Sequence, residues 1–360
     1  MSQAINSIVV GTGSYLPGRK ISNDDFLSID FYDQQGVKFS KSNEEIVKKL
    51  EDITSISERR YVDDNQVASD IALLAAQAAL ESSGIDREQL DYIIVAHNFG
   101  DVRSDNKRSD FVPSLAARVK HKLGIKNPRA IAYDLPFGCP GWLQGMIQAN
   151  YFLKSGDARL ALVIGAETLS RISDPHDRDS MIYADGAGAA ILKAIKSPRP
   201  VGILAHATRS DTYEHVYMLR MGKSNSPNTL NGDLYLKMDG HKLYEYAVKT
   251  VPLVVKESLE KAEVTIDEVD TILIHQANAK LDEAILRRVY KISGDKKIPA
   301  NIMPMTIARL GNSSVATLPT LLDMLWHNQL DGYRMQPDNH IVFASVGAGM
   351  NINSLVYRVP

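Results

Sequence analysis

Residues 79–91 read ALESSGIDREQLD and run into YIIVA at 92–96; residues 258–270 read SLEKAEVTIDEVD and run into TILIH at 271–275. Leu80, Glu81 and Asp91 recur as Leu259, Glu260 and Asp270 at one offset of 179 (259 less 80, 270 less 91). In each copy a helix-period stretch, a turn and an apolar β-branched run follow in that order. Each half then closes on a strand-plus-glycine segment, LALVIGAE at 160–167 and HIVFASVGAG at 340–349. A period of half the chain is far too long for a solenoid and predicts two copies of one α/β unit. KSPRP near residue 197 breaks the pattern and divides the chain into halves 1–196 and 197–360.

Working outward, strand candidates at Ser7–Val10, Tyr92–Ala96, Ala161–Ile164, Ala189–Leu192, Thr271–His275 and Ile341–Ser345 alternate with helical patterns. The helical patterns cover Ala68–Ser82, Leu115–Leu123, Trp142–Lys154, Leu243–Lys261 and Ser314–Trp326. Strands alternating with helices of this length predict βαβ units and a largely parallel sheet. The 360 residues are 44% hydrophobic and 23% charged, ordinary for a packed globular protein. The net charge of −2 argues against a surface built for nucleic acid. No run approaches the roughly 18 apolar residues of a membrane helix. The opening MSQAINSIVVGTG lacks the pattern of a secretory signal, so the expected location is cytoplasmic. One cysteine excludes an internal disulfide and any multi-thiolate metal site. No His/Asp/Glu group has metal-ligand spacing, and neither a metal nor a cofactor is expected.

That cysteine, Cys139, lies in DLPFGCPGWLQGMIQANYFLKSG. Pro140 suits a first helical turn. Apolar residues then recur at Trp142, Leu143, Met146, Ile147 and Tyr151, the spacing of one buried helical face. A thiol at a helix start is predicted to have its pKa lowered by the unpaired N–H groups and the dipole. The alternative is a small buried hydrophobe. His275 ends the run TILIH, so its ring should emerge at the carboxyl edge of a strand, where open α/β sheets place ligands; the alternative is a hydrogen-bonded structural histidine. Asn312, in LGNSSVATLPTLLDMLW, precedes another helical pattern and reads equally well as an N-cap. Together the three describe one chemistry. A thiolate carries an acyl group as a thioester. An imidazole and an amide donate to the carbonyl oxygen of a second thioester, which becomes an enolate when CO₂ leaves.

At these residues the chain resembles the β-ketoacyl-acyl-carrier-protein synthase III family of the thiolase superfamily. The resemblance rests on FGCPGW (137–142), VIGAETLSR (163–171), HQAN (275–278), LGNSS (310–314) and SVGAGMN (345–351) and runs nearly end to end. It implies an α/β thiolase-like fold, five-layered αβαβα, built from two related halves and assembled as a homodimer. It implies Cys139 as acyl-accepting nucleophile, His275 and Asn312 as the decarboxylating pair, and an oxyanion hole from the Cys139 and Gly349 N–H groups. Lys280, with Arg287 and Arg288, stands where the family often meets an acidic acyl carrier protein; the alternative is a solvated helix face. The implied function is decarboxylative Claisen condensation of a Cys-bound acyl group with a malonyl- or β-ketoacyl-type thioester.

The stretch KKLEDITSISERR (48–60) lacks the tryptophan with which the family grips the adenine end of coenzyme A, and has no arginine before Arg59. A carrier-bound donor is therefore favoured over coenzyme A. This departure, with Pro140 after the cysteine, resembles specialised members that build dialkylresorcinols or join long acyl chains. Two alternatives stay open: condensation of longer units or acyl transfer without decarboxylation, and a non-catalytic carrier-binding paralogue. GTGSYLPG at 11–18 lacks the GxGxxG spacing of a dinucleotide site.

Overall fold

The computed structural model describes residues 4–230 and 232–360. The first half contributes β1 (Ala4–Tyr15), β2 (Tyr92–His97), β3 (Ile131–Pro136), β4 (Leu160–Thr168) and β5 (Asp185–Ser197), in spatial order β1-β5-β4-β2-β3. The second contributes β6 (Gly202–Ser210), β7 (Val269–Ile274), β8 (His340–Gly347) and β9 (Asn351–Arg358), in order β6-β9-β8-β7. Position for position the second sheet repeats the first, one strand short. Where a partner of β7 equivalent to β3 would lie, the Ile302 carbonyl accepts the Ile272 N–H at 2.8 Å.

Both sheets are mixed, which corrects the expected parallel arrangement. β2 runs parallel to β3 and β4, and β7 parallel to β8, while β1–β5, β4–β5, β6–β9 and β8–β9 are antiparallel. Only the three-residue turn Ala348–Met350 separates β8 from β9, and a connection that short permits only an antiparallel return.

The 179-residue offset is a register. Ile93 and Val95 face outward onto helices α1 (Ala68–Ser83) and α2 (Leu115–Lys122). Ile94 faces inward onto α3 (Gly141–Ser155). Ile272 and Ile274 likewise face outward, onto α4 (Gly240–Ala262) and α5 (Ala279–Ile292). Leu273 faces inward, where α6 (Thr317–Trp326) joins α3. Side-chain alternation along each strand therefore separates three helical layers by two sheets, giving αβαβα. α3 and α6 hold corresponding places in the central layer. Trp142, Leu143 and Met146 meet Leu318, Leu321 and Phe343 there, all nearly inaccessible.

The glycines of GTG serve packing. A Cβ on Gly13 would lie 2.4 Å from the Ala79 nitrogen and 2.5 Å from the Ala75 oxygen. β1 therefore meets α1 backbone to backbone, a fit that any side chain would block. Among the described residues no helix is long and apolar enough to cross a membrane.

Candidate active site

Cys139 precedes α3 in a tight turn in which Gly138 has φ +76° and the Gly141 N–H donates to the Gly138 carbonyl at 2.9 Å. Pro140 is the N-cap rather than a residue of the first turn, and its carbonyl accepts the Gln144 N–H. In the same layer, α6 begins at Thr317 after a short turn at Ser314–Ala316. Asn312 therefore does not cap α6. Its backbone is stitched between Ile182 (N–H donating, 2.9 Å) and Ala184 (carbonyl accepting, 2.8 Å), and its side-chain oxygen accepts the Ser314 N–H at 2.9 Å. The two helix-start loops touch: the Ser314 hydroxyl donates to Cys139 Sγ at 3.4 Å.

His275 lies one residue beyond β7, where its N–H donates to the Ala344 carbonyl of β8 at 2.8 Å. The end of that same strand reaches the cysteine, since a Cβ on Gly347 would lie 2.6 Å from the Cys139 nitrogen. Cys139 and Asn312 thus meet through Ser314, and β8 joins His275 to the same corner. Ala348 follows closely, its nitrogen 2.9 Å from the position of a Cβ on Gly138. Gly349, the residue assigned to the oxyanion hole from sequence, has φ +77° and packs against the Asn351 amide. The backbone that reaches the cysteine loop is Gly347–Ala348.

Burial governs the electrostatics. Desolvation pushes the Cys139 thiol up to about 11, assisted by the negative charge of Glu167 and opposed by the Ser314 hydrogen bond. This runs against the expected depression: the residue keeps partial exposure, yet desolvation of its thiol outweighs the helix start. Desolvation also pushes the His275 imidazole down to about 4, so it is neutral near pH 7. Its Nδ1 is buried without a protein partner.

Asn312 and Tyr183 line a cavity of about 700 Å³. Its walls include Phe39, Ile46, Leu50 and Leu243, and Lys41, Lys49, Arg178 and Lys280 also line it with exposed side chains. The Arg178 guanidinium lies over the Phe39 ring, 5.3 Å from its centre. Lys280 thus reaches the mouth. Arg287 and Arg288 lie about two turns along α5 and exposed, with Arg287 donating to Glu283 at 2.9 Å. Lys41, Lys49 and Arg178 escaped sequence analysis because nothing in their local sequence shows that these separate segments meet at one cavity.

A duplicated αβαβα body with a thiol at one helix start, an amide in the loop that touches it and an imidazole just beyond β7 defines a thiolase-type condensing acyltransferase. The family model 3-oxoacyl-[acyl-carrier-protein] synthase III matches residues 133–212, and its C-terminal counterpart matches residues 259–359. The chain belongs to that family. Among solved structures it is similar to the 3-oxoacyl-(acyl carrier protein) synthase III of Pseudomonas aeruginosa PAO1, at 26% identity, 99% and 98% coverage and TM-score 0.80. It is also similar to the synthase III of Aquifex aeolicus VF5, at 28% identity, 98% and 100% coverage and TM-score 0.79. The priming β-ketosynthase of the R1128 polyketide pathway shares the fold at 24% identity, 100% and 98% coverage and TM-score 0.80.

Proposed function

We propose that Cys139 accepts an acyl group from a carrier thioester and passes it to the carbanion of a decarboxylating malonyl- or β-ketoacyl-type thioester. The observation that carries this reading is the 3.4 Å contact through which the Asn312 loop reaches the sulfur. In the first half-reaction the sulfur bonds to the acyl carbon and the donor's carbon–sulfur bond breaks; the departing thiol takes the proton that Cys139 loses. In the second, CO₂ leaves the incoming thioester and its electron pair becomes an enolate. Neutral His275, which carries one N–H, and the Asn312 amide donate to that oxygen. The enolate carbon then bonds to the acyl carbon, the bond from that carbon to the Cys139 sulfur breaks, and the released thiolate takes a proton from solvent to restore the thiol. The backbone N–H groups of Cys139 and Ala348, rather than Gly349, receive the oxyanion.

The largely apolar cavity, whose charged lining has four cations (Lys41, Lys49, Arg178, Lys280) against two carboxylates (Asp179, Asp239), supports a long neutral arm ending in an anionic carrier, so acyl carrier protein is the partner we infer, with coenzyme A as a smaller anionic alternative. We further infer two halves divided near residue 197, cytoplasmic action and a homodimer. Phe111 and Val112, 44% and 86% exposed ahead of α2, support a partner surface. The test is mass spectrometry of acyl-Cys139 together with CO₂ release. His275→Ala or Asn312→Ala should abolish CO₂ release while acylation persists; CO₂ release at normal rates in both variants would sink the mechanism.

A further inference from the structure

Behind the cysteine lies a buried polar chain that none of these steps uses. Glu167, 1% exposed near the end of β4, accepts the Asn98 backbone N–H at 3.0 Å and also the Asn98 side-chain amide. The same amide nitrogen donates to Ser314 Oγ at 3.0 Å, and Ser314 Oγ donates to Cys139 Sγ. The four residues come from four separate places: the ends of β4 and β2 and the loops ahead of α6 and α3. Local chain geometry therefore does not account for their alignment.

We propose that Glu167, Asn98 and Ser314 form a directed hydrogen-bond chain that holds the Ser314 hydroxyl as a donor to the Cys139 sulfur and so favours its thiolate. Proton counting fixes the direction. An amide NH₂ has two protons, and here one goes to the carboxylate and one to the serine. With its oxygen occupied as acceptor, Ser314 has a single proton, and that proton faces the sulfur. Ser314 touches the reacting atom; Asn98 and Glu167 act through it and are positioning residues. Tyr183 and Glu167 are the charged or titratable groups that act electrostatically together with Cys139, and His97 and Asp185 act likewise on Glu167. Burial pushes Glu167 up to about 7, so the carboxylate that anchors the chain is complete only above neutrality.

The inference rests on Cys139 being the nucleophile, and its test does not require condensation. Because the chain has one cysteine, iodoacetamide alkylation of the full-length protein reports on Cys139 alone. The rate is followed from about pH 6 to about pH 10, below the thiol's own midpoint, in wild type, Ser314→Ala, Asn98→Ala and the Ser314/Asn98 double variant, with Glu167→Gln alongside. Both Asn98 N–H groups meet one carboxylate oxygen, which a glutamine carbonyl replaces, so Glu167→Gln keeps the chain and removes only the negative charge that raises the thiol's pKa. Ser314→Ala should slow alkylation about tenfold and Asn98→Ala should slow it by a smaller factor, whereas Glu167→Gln should not slow it. The double variant should match Ser314→Ala. An unchanged rate in Ser314→Ala or Asn98→Ala, additive losses in the double variant, slower alkylation in Glu167→Gln, or losses that only follow the unfolding temperature would each overturn the chain. If alkylation follows the expected pattern but no carrier acylates Cys139, the acyl-transfer reading fails and the chain stands.

Discussion

Asp91 and Asp270 do the same work 179 residues apart. The Asp91 carboxylate accepts the backbone N–H groups of Arg159 and Leu160, at 2.7 and 3.0 Å, where β4 begins. The Asp270 carboxylate accepts the His340 N–H at 2.8 Å, where β8 begins. Each carboxylate starts the strand beside its own, which is why this residue persists in both copies. Asp91→Ala loses two partners and should cost about 2 kcal/mol; Asp270→Ala loses one at a more exposed position and should cost about 1 kcal/mol or less. Urea unfolding of the two variants reads the difference, and equal losses would contradict the one-against-two count.

The copies differ at their helix ends. α1 stops at Gly84, φ +64°, and α4 stops at the corresponding Glu263, φ +57°. A side chain in the left-handed region is strained, so Glu263→Gly should stabilise the protein by about 0.5–1 kcal/mol. Gly84→Ala should destabilise it by a similar amount. Thermal denaturation tests both signs.

His275 contributes a defined acid lability. Its folded pKa near 4 lies below the unfolded value of about 6.5, so the unfolded chain binds the extra proton first. Stability from this group is complete above about pH 6.5 and is lost as pH falls towards 4, by about 3 kcal/mol. His275→Ala removes this slope. Its stability relative to wild type should therefore rise by about 2–3 kcal/mol between pH 7 and pH 4, and a constant difference would show that the imidazole is not desolvated.

Gly13→Ala drives a methyl group into the backbone of α1. It should destabilise the fold by at least about 2 kcal/mol, and far-UV dichroism on heating reads the loss. A neutral outcome would mean that β1 and α1 move apart freely.

Charge reversal at the cavity mouth acts on encounter. Lys49→Glu combined with Lys280→Glu should raise KM for a carrier-bound donor about tenfold at low salt, with a smaller effect at high salt. The rate of iodoacetamide alkylation at Cys139 should not change.

What could be read from the sequence was whatever repeats or lies close along the chain. Ile93 and Ile94 announce their orientation through their counterparts Ile272 and Leu273, and the helix after Cys139 shows its buried face by spacing alone. Contacts between remote segments left no trace. Nothing near Ser314 points to Asn98, 216 positions away, and nothing near Lys49 points to Arg178. The thiol's raised pKa was misread because a helix start is visible in sequence and the closure of the sulfur from water is not. The close approach of Gly347 to the cysteine nitrogen is equally invisible in the sequence, where GAG offers two glycines with nothing to distinguish their packing.

The meeting of Ser314 with Cys139 joins equivalent stations of a doubled chain, so the reaction centre proposed above belongs to neither copy alone. One brings sulfur, the other brings the amide, and the workplace is the seam between siblings. A lesion letting the two slide by about 1 Å could leave every spectroscopic sign of folding intact and still silence the enzyme, since reacting groups misplaced by that distance lose about a hundredfold in rate.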